Sequence, residues 1–191
     1  MDSIPPPPIV EIFSNHGASE YYNNPYVIHN KLDAQAPEGS GSWVLEAIAN
    51  EQIPMGFTGG SDSHYAMAGS ETSEDFRNSK KWQKGLEAVL APELTREAIF
   101  TAQRNRHTYA TTGQRIILIT SIGDAIMGDI TRICEPPKFE TWVIGTKGIH
   151  RVDLVRDGLV IQRWEGLSSE AYLSYVDDEI TQGMHEYHVR V

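Results

Sequence analysis

The pattern of hydrophobic and polar positions changes near residue 113. Before it, mostly apolar runs at residues 9–13 and 86–91 alternate with amphipathic stretches whose apolar residues recur every three or four positions. Short apolar runs are typical of buried strands, and amphipathic stretches are typical of helices. The order of strand, helix and strand therefore predicts a parallel α/β arrangement for the first half.

Two helices are predicted in this half. Ser42 is expected to cap a helix that ends at about residue 50. Thr95 is expected to begin a second helix, in which Ile99 and Ala102 face inward.

The second half has a different texture. From Arg115 onward, short β-prone runs are separated by turns, and Asp157 and Gly158 between two of them tolerate the positive φ that a tight hairpin needs. Several short strands at such spacing indicate a β-sandwich. The predicted segments are a proline-rich leader at residues 1–8, an α/β segment at 9–113 and a β-sandwich-like domain at 114–191.

Composition limits the possible partners. The 191 residues carry a formal net charge of −10, which argues against nucleic acid or an anionic membrane as the main partner, because both require a clustered basic face. No apolar run is long enough to span a bilayer, and the N-terminus does not read as a signal peptide, so a cytoplasmic location is the default expectation. The single Cys134 excludes an internal disulfide.

Side chains that bind metals follow apolar strands at two places. Asp62 and His64 come after a pair of glycines, and they project together because alternate side chains of an extended backbone point the same way. His16 follows the strand at residues 9–13. The carboxyl ends of parallel strands meet at one edge of a sheet, so these three are candidate ligands for zinc, iron or manganese. The alternative is that Asp62 and His64 are solvated side chains of a surface loop.

A second polar stretch follows the second predicted helix. Arg106, His107 and Tyr109 could hold an anionic substrate group. Alternatively, the aromatic residue packs the junction between the two halves while Arg106 stabilises the end of the helix. Glu20 could orient His16, or it could be an ordinary carboxylate near the start of a helix.

Four motifs occur in a fixed order: VEIFSNHGASE at residues 10–20, GSDSH at 60–64, LTREAIF at 94–100 and RHTYATTG at 106–113. Together they resemble DUF3604, a bacterial family similar to the PHP (polymerase and histidinol phosphatase) hydrolases. The resemblance implies the C-terminal part of a distorted (β/α)7 barrel followed by the β-sandwich-like domain. It also implies divalent metal ions (Zn, Mn or Fe) and hydrolysis of phosphate esters.

The resemblance assigns His16, Asp62 and His64 as metal ligands, but the early histidines of the family have no counterpart here. The chain is therefore expected to be the C-terminal portion of a longer hydrolase, weak or inactive alone, with a small phosphorylated or other anionic substrate. A missing N-terminal segment, or self-association, would cover the exposed edge of the sheet.

Two other classes of function stay open. One is a non-catalytic binding module that uses the β-sandwich. The other is a serine hydrolase that uses Ser61 or Ser63, which is disfavoured because a triad must meet head to tail and near neighbours on one strand seldom do.

Overall fold

The computed structural model describes residues 9–14, 17–21, 24, 43–51, 53–62 and 84–191. These residues form twelve strands and two helices. In chain order the elements are β1 (Ile9–Ser14), β2 (Gly17–Ala18), α1 (Val44–Glu51), β3 (Gly56–Gly59), β4 (Leu86–Val89), α2 (Arg96–Arg104), β5 (Thr108–Thr111), β6 (Ile117–Ile122), β7 (Ala125–Ile126), β8 (Lys138–Ile144), β9 (Ile149–Arg156), β10 (Leu159–Leu167), β11 (Glu170–Val176) and β12 (Tyr187–Arg190).

One parallel strand pair organises the first half. β1 and β3 run in the same direction, with Ile9 opposite Gly56 and Phe13 opposite Gly59, and β2 pairs antiparallel with the other edge of β1. Both β1 and β3 therefore end at the same edge of this three-stranded sheet.

The predicted α/β class, with part of a (β/α)7 barrel, is wrong. The described residues are mostly β-strand and form several small sheets, and they contain no barrel. A barrel needs each helix to lead to a parallel neighbouring strand, but α2 joins β4 to β5, which pair antiparallel. The chain reverses directly after α2, where Arg106 has a φ of 64° and Leu90 N–H donates to the His107 carbonyl oxygen (2.8 Å).

The second helix begins where the sequence predicts. Thr95 has extended backbone angles, and its Oγ1 accepts the Ala98 N–H (3.2 Å), which satisfies one of the free donors at the helix start. Ala102 is buried and Ile99 is half-buried, as predicted. Neither helix in the described part of the chain has the length and apolar character to cross a membrane.

Two antiparallel sheets in the second half share one core. Their strand orders are β11-β8-β6-β7 and β10-β9-β12. Leu118, Val143 and Leu173 of the first sheet pack with Ile149 and Val152 of the second. Alternate residues of a strand point to opposite faces, so each sheet turns one apolar face inward, and burial of these faces is the main stabilising term.

The turn between β9 and β10 forms at the predicted hairpin. Asp157 and Gly158 both adopt positive φ, 50° and 80°, which matches the right-handed twist of the flanking strands. The β-prone runs of the sequence correspond to β6 and to β8 through β12. The domain boundary placed near residue 113 stays a prediction.

Replacing Leu173 with Ala should lower the free energy of unfolding by about 2–5 kcal/mol, because a buried side chain is lost and a cavity remains. Urea unfolding monitored by tryptophan fluorescence measures it. Leu159→Ala is the matched control: Leu159 is 73% exposed while Leu173 is 7% exposed, so the control should change stability by no more than about 0.5 kcal/mol. Equal effects of the two substitutions would contradict the burial of Leu173 in this core.

Candidate functional site

Backbone contacts hold the ends of β1 and β3 together. Gly60 N–H donates to the Phe13 carbonyl oxygen (3.0 Å). Gly85, just before β4, packs at the same place, where a Cβ would lie 2.5 Å from that carbonyl oxygen. A residue with a side chain could not approach so closely. Three backbone segments therefore meet at this edge of the sheet. The predicted metal ligands come shortly after β1 and β3 in the sequence.

Asp62 is the predicted metal ligand that the structure describes. It lies three residues beyond β3, is partly buried and has a φ of 46°. A non-glycine residue in this left-handed region is uncommon and is often found at functional sites. The other two predicted ligands, His16 and His64, lie outside the described residues, so a three-ligand site stays a prediction. Within the described part, no group of three or more His, Cys, Asp or Glu side chains could hold a metal ion.

A second carboxylate reaches the same edge. Glu11 lies in the middle of β1, and its Oε2 occupies the space that a Cβ on Gly60 would need. Sequence reasoning missed this residue, although it is the one charged side chain within the apolar run at residues 9–13. Glu11 and Asp62 thus bring two carboxylates to the ends of the parallel strands.

Glu20 binds the last strand of the chain. Its Oε1 accepts hydrogen bonds from Nε (3.0 Å) and Nη2 (2.6 Å) of Arg190, whose guanidinium also lies 4.8 Å from the centre of the Tyr21 ring. The carbonyl oxygens of Ser19 and Glu20 accept the N–H groups of Val44 and Leu45 at the start of α1 (both 3.1 Å). The segment that follows β2 is therefore fixed from two sides. The predicted role of Glu20 toward the histidine four residues earlier stays a prediction.

His188 is an imidazole buried between two carboxylates. Its Nδ1 lies 3.1 Å from Glu186 Oε1, and its Nε2 lies 3.4 Å from Glu20 Oε1, a Coulombic contact whose angles do not fit a hydrogen bond. The ring meets Phe57 edge-on, with centroids 5.7 Å apart. Burial lowers the pKa of His188, but Glu186 and Glu20 outweigh burial and raise the pKa to about 9. His188 is therefore an imidazolium at neutral pH.

Charged neighbours also outweigh burial at Glu20, where they lower the pKa. Burial raises the pKa of Glu20, but the contact with His188 and the hydrogen bonds and charge of Arg190 outweigh burial, so the pKa lies below its ordinary value. Glu20 therefore stays ionised at neutral pH.

Arg106 and His107 contact the segment after β7. Arg106 Nε–H donates to the Gly128 carbonyl oxygen (3.0 Å), and His107 Nε2 lies 2.9 Å from Asp129 Oδ1. Burial raises the pKa of Asp129, but His107 and the Ile126 N–H outweigh burial and lower it. These contacts connect the stretch after α2 to the segment after β7. Binding of an anionic substrate by Arg106 and His107 stays a prediction, and so does the alternative in which Arg106 stabilises the end of the helix.

Tyr109 joins β5 to β6. Its hydroxyl donates to the Ile116 carbonyl oxygen (2.8 Å) and accepts the Leu118 N–H (3.2 Å). Burial raises the pKa of Tyr109, while the Leu118 N–H works against that effect. Both hydrogen-bonding functions of the hydroxyl are used within the protein, and the predicted contact with substrate stays a prediction.

Comparison with protein families supports part of the resemblance. Residues 66–127 match the family described as "Protein of unknown function (DUF3604)". The further link to PHP hydrolases rests on the sequence motifs alone. No solved structure matches the chain.

Curated relatives come from Chlamydia, and each bears the name "Uncharacterized protein". The chain is 30% identical over 160 residues to a protein of Chlamydia muridarum (strain MoPn / Nigg), covering 78% of this chain and 24% of that protein. It is 30% identical over 180 residues to a protein of Chlamydia pneumoniae, covering 88% and 27%. For Chlamydia trachomatis serovar D the identity is 29% over 158 residues, covering 78% and 24%. The chain thus spans about a quarter of the length of these relatives.

Replacing His188 with Gln should make the free energy of unfolding less dependent on pH. The folded-state pKa of about 9 lies above the ordinary value of 6.5, so the stabilisation is fully present below pH 6.5 and is lost as the pH rises through 9. The wild type should therefore lose on the order of 3 kcal/mol relative to the variant across this interval. Urea unfolding at a series of pH values measures the difference.

His150→Gln is the matched control, because His150 is exposed. It should leave the pH profile of the wild type unchanged. A constant difference in stability between wild type and His188→Gln from pH 6 to 10 would contradict the buried imidazolium.

Proposed function

We propose that the chain contributes part of a divalent-metal site to a metal-dependent hydrolase that acts on phosphate esters. The observation that carries the proposal is the parallel pairing of β1 with β3. Because both strands end at one edge of the sheet, side chains that follow the two strands lie near each other at that edge. Asp62 follows β3 there, and His16 and His64 are the next candidate ligands along the two segments.

The donors at this edge suit such an ion. Carboxylate oxygens of Asp62 and Glu11 are ligands for manganese, zinc or iron, and imidazole nitrogens suit zinc and iron. A bound ion of this kind supplies hydrolytic chemistry by lowering the pKa of water. It would also offset the charge of a phosphate on a protein whose net charge is −10.

Glu20, Arg190 and His188 give the site its support in this proposal. Their ion pairs fix the segment after β2, and β2 in turn directly follows His16 in the sequence. Ligand orientation depends on such surrounding contacts. The chain spans about a quarter of its relatives, so further ligands would come from the rest of a longer protein, and weak or absent activity is expected for this chain alone.

A non-catalytic binding module is the second candidate. The observation that favours it is a pair of half-exposed arginines, Arg151 and Arg163, on β9 and β10. This surface belongs to the second half of the chain and is built without Glu11 or Asp62. A ligand that binds the chain equally well before and after removal of metal ions would support this candidate.

Calorimetric titration of the metal-free chain with Zn²⁺ or Mn²⁺ should show saturable binding. Asp62→Asn should weaken it at least about tenfold, because the loss of one charged ligand costs upward of about 1.4 kcal/mol. His64→Ala should have a similar effect. The matched control is Asp124→Asn, in the exposed turn between β6 and β7.

The control should bind metal like the wild type. The metal proposal fails if no binding occurs in the wild type, or if Asp62→Asn and Asp124→Asn bind equally well.

A further inference from the structure

Three guanidinium groups surround a buried carboxylate on the β10-β9-β12 sheet. Asp153 lies in the middle of β9, with Arg163 of β10 opposite it on one side and Arg190 of β12 opposite it on the other. Arg151, two residues earlier on β9, projects to the same face. The side chain of Asp153 is only 1% exposed. A buried charge requires such partners, since an isolated carboxylate would be strongly destabilised.

The three arginines bind Asp153 to different extents. Arg163 forms a forked pair, with Nε 2.7 Å from Oδ1 and Nη2 3.2 Å from Oδ2. Arg151 Nε lies 3.3 Å from Oδ2, and Arg190 Nη1 lies 3.7 Å from it. Arg190 is neutralised chiefly by Glu20. Arg151 and Arg163 therefore share the one carboxylate of Asp153.

The two sharing arginines face solvent. The side chain of Arg151 is 39% exposed and that of Arg163 is 46% exposed. Among the described residues, Arg163 Nη1 and both Nη nitrogens of Arg151 have no acceptor. Arg163 Nε donates a hydrogen bond to Asp153, and Arg151 Nε makes an ion-pair contact with it, so Asp153 restrains both guanidinium groups before any ligand arrives, which lowers the entropy cost of binding.

An open depression begins at Arg163. It has a volume of about 320 Å³ and is lined by Val160, Ile161, Gln162 and Arg163 along β10. Val160 and Ile161 give it an apolar wall, and Gln162 gives it an amide. The surface therefore combines a fork of guanidinium donors with a wall suited to the organic part of a small molecule.

We propose that Arg151 and Arg163, held in place by Asp153, bind the phosphate group of a small organic phosphate. A guanidinium offers donors in a planar fork that matches two oxygens of a phosphate at once. Two guanidinium groups around one buried carboxylate attract an anion to this position, and the charge of Glu165 offsets part of that attraction. The site requires no metal ion, so it goes beyond the proposed hydrolase function and does not depend on it.

One carboxylate competes with the ligand. Glu165 lies opposite Arg151 in the strand register and is exposed. It makes no ion pair with either arginine within the described residues. Its charge nevertheless reduces the attraction for an anion, so removing that charge should strengthen phosphate binding.

The test is a phosphate titration of the metal-free full chain in EDTA, at constant ionic strength, followed by ¹H–¹⁵N NMR of the arginine Nε–H groups. The Nε–H signals of Arg151 and Arg163 should shift saturably, while that of exposed Arg132 should not. Arg151→Gln and Arg163→Gln should each weaken binding at least about tenfold, and Glu165→Gln should strengthen it a few-fold.

Arg132→Gln is the matched control and should bind phosphate like the wild type. Arg163→Lys keeps a charge beside Asp153 but loses the fork, so a folded Arg163→Lys chain should also bind weakly. Acetate, in a parallel titration, should bind at least several-fold more weakly than phosphate.

Three outcomes would overturn the proposal. They are no saturable shift, equal phosphate binding by the Arg163 and Arg132 variants, which would indicate an adventitious ion only, and acetate binding as tight as phosphate. None of them bears on the metal titration of Asp62, so the two proposals can fail separately.

Discussion

Glu20 and Arg190 form an ion pair, with the carboxylate of Glu20 2.6 Å from Arg190 Nη2. The packing of the first half of the chain against the last strand depends on this pair. The two residues are 170 positions apart. Both side chains are largely buried, with 16% and 23% exposure. Removing one partner of a buried pair leaves an uncompensated charge, which typically costs about 3–5 kcal/mol. The pair therefore holds the segment after β2 strongly in one position.

Further charged side chains contact both members of the Glu20–Arg190 pair. His188 Nε2 lies 3.4 Å from the same Glu20 oxygen that Arg190 binds, and the His188 ring is perpendicular to that of Phe57 in β3. Arg190 extends the row of charges to Asp153, and Asp153 extends it to Arg163. A row of charged side chains therefore runs from Glu20, in the segment after β2, to the proposed phosphate site on β9 and β10. This row fixes the segment after β2 relative to that site.

Local features of the fold were predictable from the sequence because their causes are local. Thr95 begins α2 by accepting a hydrogen bond three residues ahead, and Asp157 with Gly158 turns the chain because both tolerate positive φ. The barrel prediction failed at Arg106, whose φ of 64° reverses the chain and makes β5 antiparallel to β4. Arginine gives no sequence signal for that conformation, since glycine or asparagine usually occupies it.

The candidate site was predictable only in part. The order of strands and polar residues pointed to the edge where Asp62 lies, because parallel strands end together. The contact of Glu11 with Gly60 depends on register, and the contact of Glu20 with Arg190 depends on long-range packing. Neither leaves a pattern in a single sequence. Arg151 and Arg163 likewise become a pair only when β9 and β10 align around Asp153.

A double-mutant cycle on Glu20 and Arg190 tests most directly whether this ion pair holds the first half on the last strand. Glu20→Gln, Arg190→Gln and the double variant would be compared with the wild type by urea unfolding at pH 7. The account predicts that each single substitution destabilises the protein and that the double variant is more stable than additivity requires, by about 1–3 kcal/mol. Additive effects, to within about 0.3 kcal/mol, would contradict it.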